Sequence, residues 1–153
     1  MIDRRHIGTE LPAFTVEVER SRLRFFAKAT GQTDPVYLDD DAARAAGHAA
    51  LPVPPSFLFC LEMDAPNPGL LRDRLGLDIA RILHGEQGFT YHRVAHAGDA
   101  LTFRQRIDDI YDKKGGALEF IVRRTQVSNQ RGEPVAELRA VTAYRNPSPG
   151  AQS

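Results

Sequence analysis

Between Gly31 and Asp39 the chain reads Gly-Gln-Thr-Asp-Pro-Val-Tyr-Leu-Asp, and this polar loop holds an amide (Gln32), a carboxylate (Asp34) and a phenol (Tyr37). Of the three only the carboxylate is a base near neutral pH; an amide can only hydrogen-bond, and a phenol with its ordinary pKa near 10 is a poor base. A second group lies further on. Strict strand alternation over Leu83 to His92 puts His84, Glu86 and His92 on one face and Leu83, Phe89 and Tyr91 on the other. An imidazole and a carboxylate at i and i+2 form a candidate acid/base couple, against the plainer reading of hydrogen-bonded sheet residues at an interface. The third feature is Leu51-Pro-Val-Pro-Pro55-Ser56, which leads into the apolar run Phe57 to Leu61. Pro55 fits the first turn of a helix, so Ser56 and Phe57 present backbone N–H groups suited to a polarised carbonyl or a developing oxyanion.

Other residues with chemical potential carry simpler explanations. Asp39-Asp40-Asp41 stands before Ala42-Ala43-Arg44-Ala45-Ala46-Gly47 without the alternating ligands of a calcium loop, so capping of a short helix explains it and no metal is implied. Cys60 is the single cysteine and sits in the apolar run, as a buried inert thiol would. His6, His48 and His96 have no partner visible in the sequence and read as surface residues.

These groups need a scaffold. A chain of 153 residues, 42% hydrophobic and 26% charged, can bury one core. Twenty basic and twenty acidic side chains cancel, which removes the electrostatic footprint of a nucleic-acid binder. No apolar run approaches the roughly 20 residues that span a bilayer, and with no signal-like segment a cytoplasmic location is expected. Phe14 to Val18 alternates as an edge strand. Leu23, Phe26 and Ala27 recur at helical spacing up to Gly31, which stands where a left-handed C-terminal residue belongs; the arginines and lysine between them read as a solvated face. Residues 64–77 are rich in Pro, Gly and Arg and predict a loop or broken helix. Four strand-like runs follow, at about Arg81–Arg93, Leu101–Tyr111, Ala117–Ser128 and Pro134–Arg145, with Gly98-Asp99, Lys113 to Gly116 and Asn129 to Gly132 as hairpin turns of an antiparallel meander. The expected architecture is α+β, an antiparallel sheet wrapped around a central apolar helix, in one domain over 1–146 with a flexible tail over 147–153.

With these elements in place, the chain resembles the MaoC-like hot-dog hydratases and dehydratases, in particular the FAS1-like or N-terminal MaoC dehydratase branch. It is also similar to the substrate-binding subunit of the mycolic-acid (3R)-hydroxyacyl carrier-protein dehydratase. The resemblance runs from about Val16 to Tyr144 and rests on Thr33 to Asp39 with Ala42-Ala43 behind it, Pro54 to Phe57, His84 to Arg93, Ala97 to Leu101 and Asn129 to Val135. It implies a hydro-lyase acting on acyl thioesters of coenzyme A or acyl carrier protein, adding or removing water at a 2-enoyl group to give the (R)-3-hydroxyacyl form, with no cofactor. The active loop of that family reads Gly-Asp-x-Asn-Pro-Leu/Ile/Val-His. Here Gln32 stands at the catalytic Asp, Asp34 at the Asn and Tyr37 at the His. Either another hot-dog chain supplies the missing pair, or Asp34, Tyr37, His84 and Glu86 act as substitutes, with Gln32, Pro55, Ser56, Phe57 and His92 toward the substrate. A homodimer or heterodimer is implied, because hot-dog sites resemble clefts shared by two subunits. Thioester hydrolysis, with Glu62 as its carboxylate, and non-catalytic thioester binding are the alternatives. A solvated helix end is the plainer reading of Glu62.

Overall fold

The computed structural model describes residues 1–147, and the expected tail from 148 onward lies outside the described residues. Five strands form one antiparallel sheet: β1 (Phe14–Glu17), β2 (Ile82–Tyr91), β3 (Ala100–Lys113), β4 (Leu118–Ser128) and β5 (Pro134–Arg145), in the order β1-β3-β4-β5-β2. Against it lie α1 (Arg20–Ala29), α2 (Asp40–Ala45), the short apolar α3 (Phe57–Glu62) and α4 (Leu70–Arg74). The broken-helix segment is thus α4 between loops. None of the described helices is long and apolar enough to cross a membrane.

The core forms where α1 and α3 meet the sheet. Leu23 of α1 and Phe57, Leu58 and Leu61 of α3 pack with Leu101, Phe103, Val127, Ala136 and Leu138, all of them buried. Phe14 stacks on Phe103 across the β1–β3 pair at 5.2 Å, and Phe26 meets Phe57 at 4.9 Å. A second cluster, Ile107, Ile110 and Ile121, is covered by Leu71, Leu75 and Leu77 from the α4 region. Ile107 and Ile110 both point inward because a bulge between Ile107 and Asp109 resets the alternation of β3.

The arginines of α1 are tethers as well as a wet face. Arg20 and Arg24 reach Asp40, Arg24 Nε donates to the Leu38 carbonyl at 3.0 Å, and Arg22 pairs with Asp64 just past α3. They fix α1 to the end of the 31–39 loop and to the residue just past α3.

The topology corrects the meander. β3, β4 and β5 are joined by hairpins at 113–116 and 129–132, but β2 pairs with β5 at the far edge, so Gly98-Asp99 is no hairpin between β2 and β3. Residues 92–99 cross over instead. They pair with the chain entering α3, where Val53 N–H donates to Ala95 O and Ala97 N–H to Leu51 O. Gly98, at φ +92°, turns the segment onto Val18, with N–H···O bonds at 2.9 and 2.8 Å in the two directions.

Candidate active site

The 31–39 loop is built from its own side chains. Gln32 Oε1 accepts from Asp34 N–H at 3.0 Å, Asp34 Oδ1 accepts from Val36 N–H at 3.0 Å, and Pro35 follows at the first position of the 3-10 turn Pro35–Tyr37. Gln32 and Asp34 therefore hold backbone in place. Tyr37, at the end of the turn, is the loop residue that lines a cavity of about 410 Å³, along with His48, Pro55, Tyr91, His92 and Arg93. No Asp or Glu lines this cavity among the described residues. Asp39 Oδ1 accepts from Asp41 and Ala42 N–H at 3.0 and 2.9 Å, so the triple Asp caps α2, and no described group of three or more His, Cys, Asp or Glu is arranged to hold a metal.

At the mouth of α3 the backbone donors already have partners. Ser56 sits in the left-handed region at φ 69°, and its N–H donates to Tyr91 Oη at 3.0 Å. Phe57 N–H closes a turn onto Pro54 O at 3.1 Å, and the Phe57 ring is buried in the core. A tyrosine hydroxyl that accepts one hydrogen bond still has its own proton to donate, so Tyr91 carries donor capacity from the backbone out to the cavity wall. Tyr91 is half exposed and stacks on Phe89 at 5.8 Å.

The supposed His84–Glu86 couple does not form. His84 lies opposite Thr142 and Glu86 opposite Val141, neighbours on β5 whose side chains leave the sheet on opposite faces. The extra residue is Gly85, where a Cβ would meet Val141 O at 3.0 Å. His84 consequently faces α3, edge-on to Phe59 at 6.0 Å, while Glu86 is on the outer face in an ion pair with Arg139 at 2.7 Å. Leu83 stays opposite His84 as alternation predicts, but past the bulge Phe89 and Tyr91 fall on the His84 side, the reverse of simple alternation. His92, just past β2, is held by its N–H on Val135 O at 2.8 Å and keeps a place in the cavity wall.

Two sets of partners were missed in the sequence. His48 Nδ1 and His96 Nε2 lie 3.1 Å apart, joining the end of the α2 segment to the crossover, and burial followed by the neighbouring imidazole pushes the His96 pKa below its ordinary value. Glu62 is the other. It is 2% exposed, not solvated, and accepts from Thr125 Oγ1, from Gln105 Nε2 at 3.1 Å and from Arg123 Nη2 at 2.9 Å. It lies at the far end of α3, away from Tyr37. The sequence signal for this pairing is faint: inward-facing Gln105 interrupts the apolar positions Phe103 and Ile107 of β3, and Arg123 and Thr125 those of Ile121 and Val127 on β4.

Five antiparallel strands against a short apolar helix, with a cavity at that helix's entry, define a protein of the hot-dog class. Residues 5–138 match the FAS1-like dehydratase domain region, and the chain belongs to that family. It is 35% identical over 145 residues to a UPF0336 protein of Saccharopolyspora erythraea, covering 94% of this chain and 92% of that one. It is 38% identical over 135 residues to a UPF0336 protein of Streptomyces griseus, covering 88% and 89%. Among solved structures, it superimposes on a chain of the C-terminally truncated HadBC (3R-hydroxyacyl-ACP dehydratase) complex from Mycobacterium tuberculosis with a TM-score of 0.75 and 28% identity, over 90% of this chain and 96% of that one. A chain of the ChsH1-ChsH2 complex from the same organism shares the fold, with a TM-score of 0.72, 22% identity and coverage of 91% and 90%.

Proposed function

We propose that this chain is the acyl-thioester-binding subunit of an (R)-specific hydratase/dehydratase, taking an acyl-CoA or acyl-ACP into the Tyr37 cavity beside a second hot-dog subunit that brings the acid/base pair. The observation that carries this reading is the loop. At the family's proton-transfer positions it has Gln32 and Tyr37, and Gln32 and Asp34 are both engaged by loop backbone. Water addition at a 2-enoyl thioester requires a group that moves a proton between water and C2, and a donor for the thioester oxygen as charge gathers there. Tyr91, backed by Ser56 N–H, is placed to be that donor; Tyr37 and His92 shape the pocket around the acyl group. The unpaired edge of β2 gives a second hot-dog chain, or another copy, a place to add. The matched complexes of two hot-dog chains support such a partner. A cytoplasmic site of action belongs to the same reading.

Hydrolysis of the thioester finds less support, since Glu62 is tied by three donors at the other end of α3. The experiment is to titrate the purified chain with a saturated acyl-CoA, then follow a short 2-enoyl-CoA by loss of enoyl absorbance and product mass. Binding without turnover is expected. Tyr91→Phe should weaken it about tenfold, the worth of one hydrogen bond. Hydroxyacyl product from the chain alone would overturn the subunit reading, and free coenzyme A would favour a thioesterase.

A further inference from the structure

Past His92 the mostly apolar Tyr37 cavity gives way to different chemistry. His92 lines both that cavity and a recess of about 440 Å³ whose walls include Thr102, Gln126, Ser128 and Asn129. Arg104 and Gln126 are in turn common to this recess and to another, of about 310 Å³, in which Arg104, Arg106 and Arg124 outnumber a single carboxylate, Glu10, among the described residues. The three arginines and Gln126 leave the sheet on its outer face, because Gln105 and Thr125 between them turn inward to Glu62. From the cavity outward the walls thus pass from apolar, through neutral hydrogen-bonding groups, to guanidinium groups.

The arginines are arranged as a sheet by itself disfavours. Arg106 lies directly opposite Arg124, and Arg124 opposite Arg139 on β5; like charges in register are destabilising. Asp108 pairs with Arg106 and Arg124 at 2.6 and 3.0 Å, Glu137 with Arg124 at 3.1 Å, and Glu86 with Arg139 at 2.7 Å. Arg104 is the surplus cation. It is exposed, its one hydrogen bond is to Ser128 Oγ at 3.4 Å, and it makes no ion pair among the described residues.

An accessible guanidinium without a carboxylate, beside two more that Asp108 pins, is a receptor for phosphate oxygens. Whatever joins that phosphate to the Tyr37 cavity must be slender, uncharged and rich in amide or hydroxyl groups, to match Thr102, Gln126, Ser128 and Asn129. Arg104 stands in register with Gln126, Glu137 and Thr90, so three strand spacings, about 14 Å, separate it from the end of β2 beside Tyr91. A phosphopantetheine arm has this make-up: amides, a hydroxyl, and about twelve bonds from sulfur to phosphate oxygen, the reach of about four extended residues or about 14 Å. We propose that the groove from His92 to Arg104 holds the phosphopantetheine arm of the acyl thioester, with its phosphate on Arg104; this rests on the thioester reading of the Tyr37 cavity. A subunit added at the β2 edge extends the sheet in its own plane and leaves this face open.

The test is an NMR titration of the full-length chain with butyryl-pantetheine and with butyryl-4′-phosphopantetheine, which differ by the phosphate. The phosphorylated ligand should bind about tenfold tighter and shift amides of residues 102–106 and 124–128. Arg104→Gln should erase that preference, and Arg104→Lys, which keeps the charge, should restore part of it. Coenzyme A and acyl carrier protein share this arm, so butyryl-CoA and a butyryl carrier protein are compared next; tighter binding of either than of butyryl-4′-phosphopantetheine supports the site and identifies the source. Equal affinity with and without the phosphate, or a preference that survives Arg104→Gln, would overturn the proposal. Unacylated 4′-phosphopantetheine separates this proposal from the subunit reading. It should shift residues 102–106 in the wild type and not in Arg104→Gln, even where no thioester enters the Tyr37 cavity; absence of those shifts while butyryl-pantetheine binds at the cavity overturns the groove alone.

Discussion

Glu62 shows what one buried side chain can demand. Its carboxylate is removed from water at the end of an otherwise apolar helix, and three donors from β3 and β4 replace the solvent it loses. Glu62→Leu should therefore cost about 3 kcal/mol in urea unfolding, because Arg123 is left as a largely buried, uncompensated charge; Glu62→Leu with Arg123→Met should recover most of the loss. The His48–His96 pair makes a pH prediction. Burial and the adjacent imidazole lower the His96 pKa in the folded protein, so the unfolded chain binds its proton at a higher pH than the folded one does. Stability from this group is complete above the unfolded value near 6.5 and is lost as pH falls through the folded value. Urea midpoints should drop between pH 7.5 and pH 5.5. His96→Gln should flatten that slope, since two protonated imidazoles have no acceptor to offer each other and the variant removes one of them.

At the scale of elements, β2 is decided by a single glycine. The bulge at Gly85 sends His84 inward and Glu86 outward, and it exists where a Cβ would press on the Val141 carbonyl. Gly85→Ala should destabilise the fold by about 1 kcal/mol, measured as a lower thermal midpoint, because backbone must give way to the methyl group. Phe89 and Tyr91 depend on the same register, so the Ser56–Tyr91 hydrogen bond is an indirect product of Gly85. The helices are simpler. Asp39 caps α2 and Asp34 caps the turn before it, and each is a local side-chain to backbone arrangement two or three residues long.

For the whole molecule, the position of β2 sets where the proposed partner subunit would add. It is the long edge strand of the sheet, ten residues with most side chains exposed, and Leu83 on its outer face is 53% exposed. An unpaired edge of this length invites a second strand. Sedimentation should find the chain as a dimer, or as a monomer that becomes a stable heterodimer when a second hot-dog subunit is added; a monomer indifferent to such a subunit would count against the proposed assembly. The crossover 92–99 has the complementary role: by pairing with residues 51–53 it brings His92 and Arg93 beside Tyr37 and closes the cavity.

The sequence by itself determined what local chemistry controls. The β5 boundaries, the helix ending at Gly31, the capping by Asp39, the hairpins at 113–116 and 129–132 and the altered loop at Gln32 and Tyr37 all rest on periodicity, turn residues or motif order within a few positions. The hot-dog family was legible for the same reason, through five short motifs in the right sequence. Tertiary structure decided the rest. Which face His84 and Glu86 occupy depends on a bulge that alternation does not register, and β2 beside β5 rather than β3 is a choice of pairing partner. Tyr91 at Ser56, His96 at His48, and Arg123 at Glu62 join residues 35, 48 and 61 positions apart. No periodicity extends over such distances; only the closing of the sheet on α3 brings these groups within hydrogen-bonding reach.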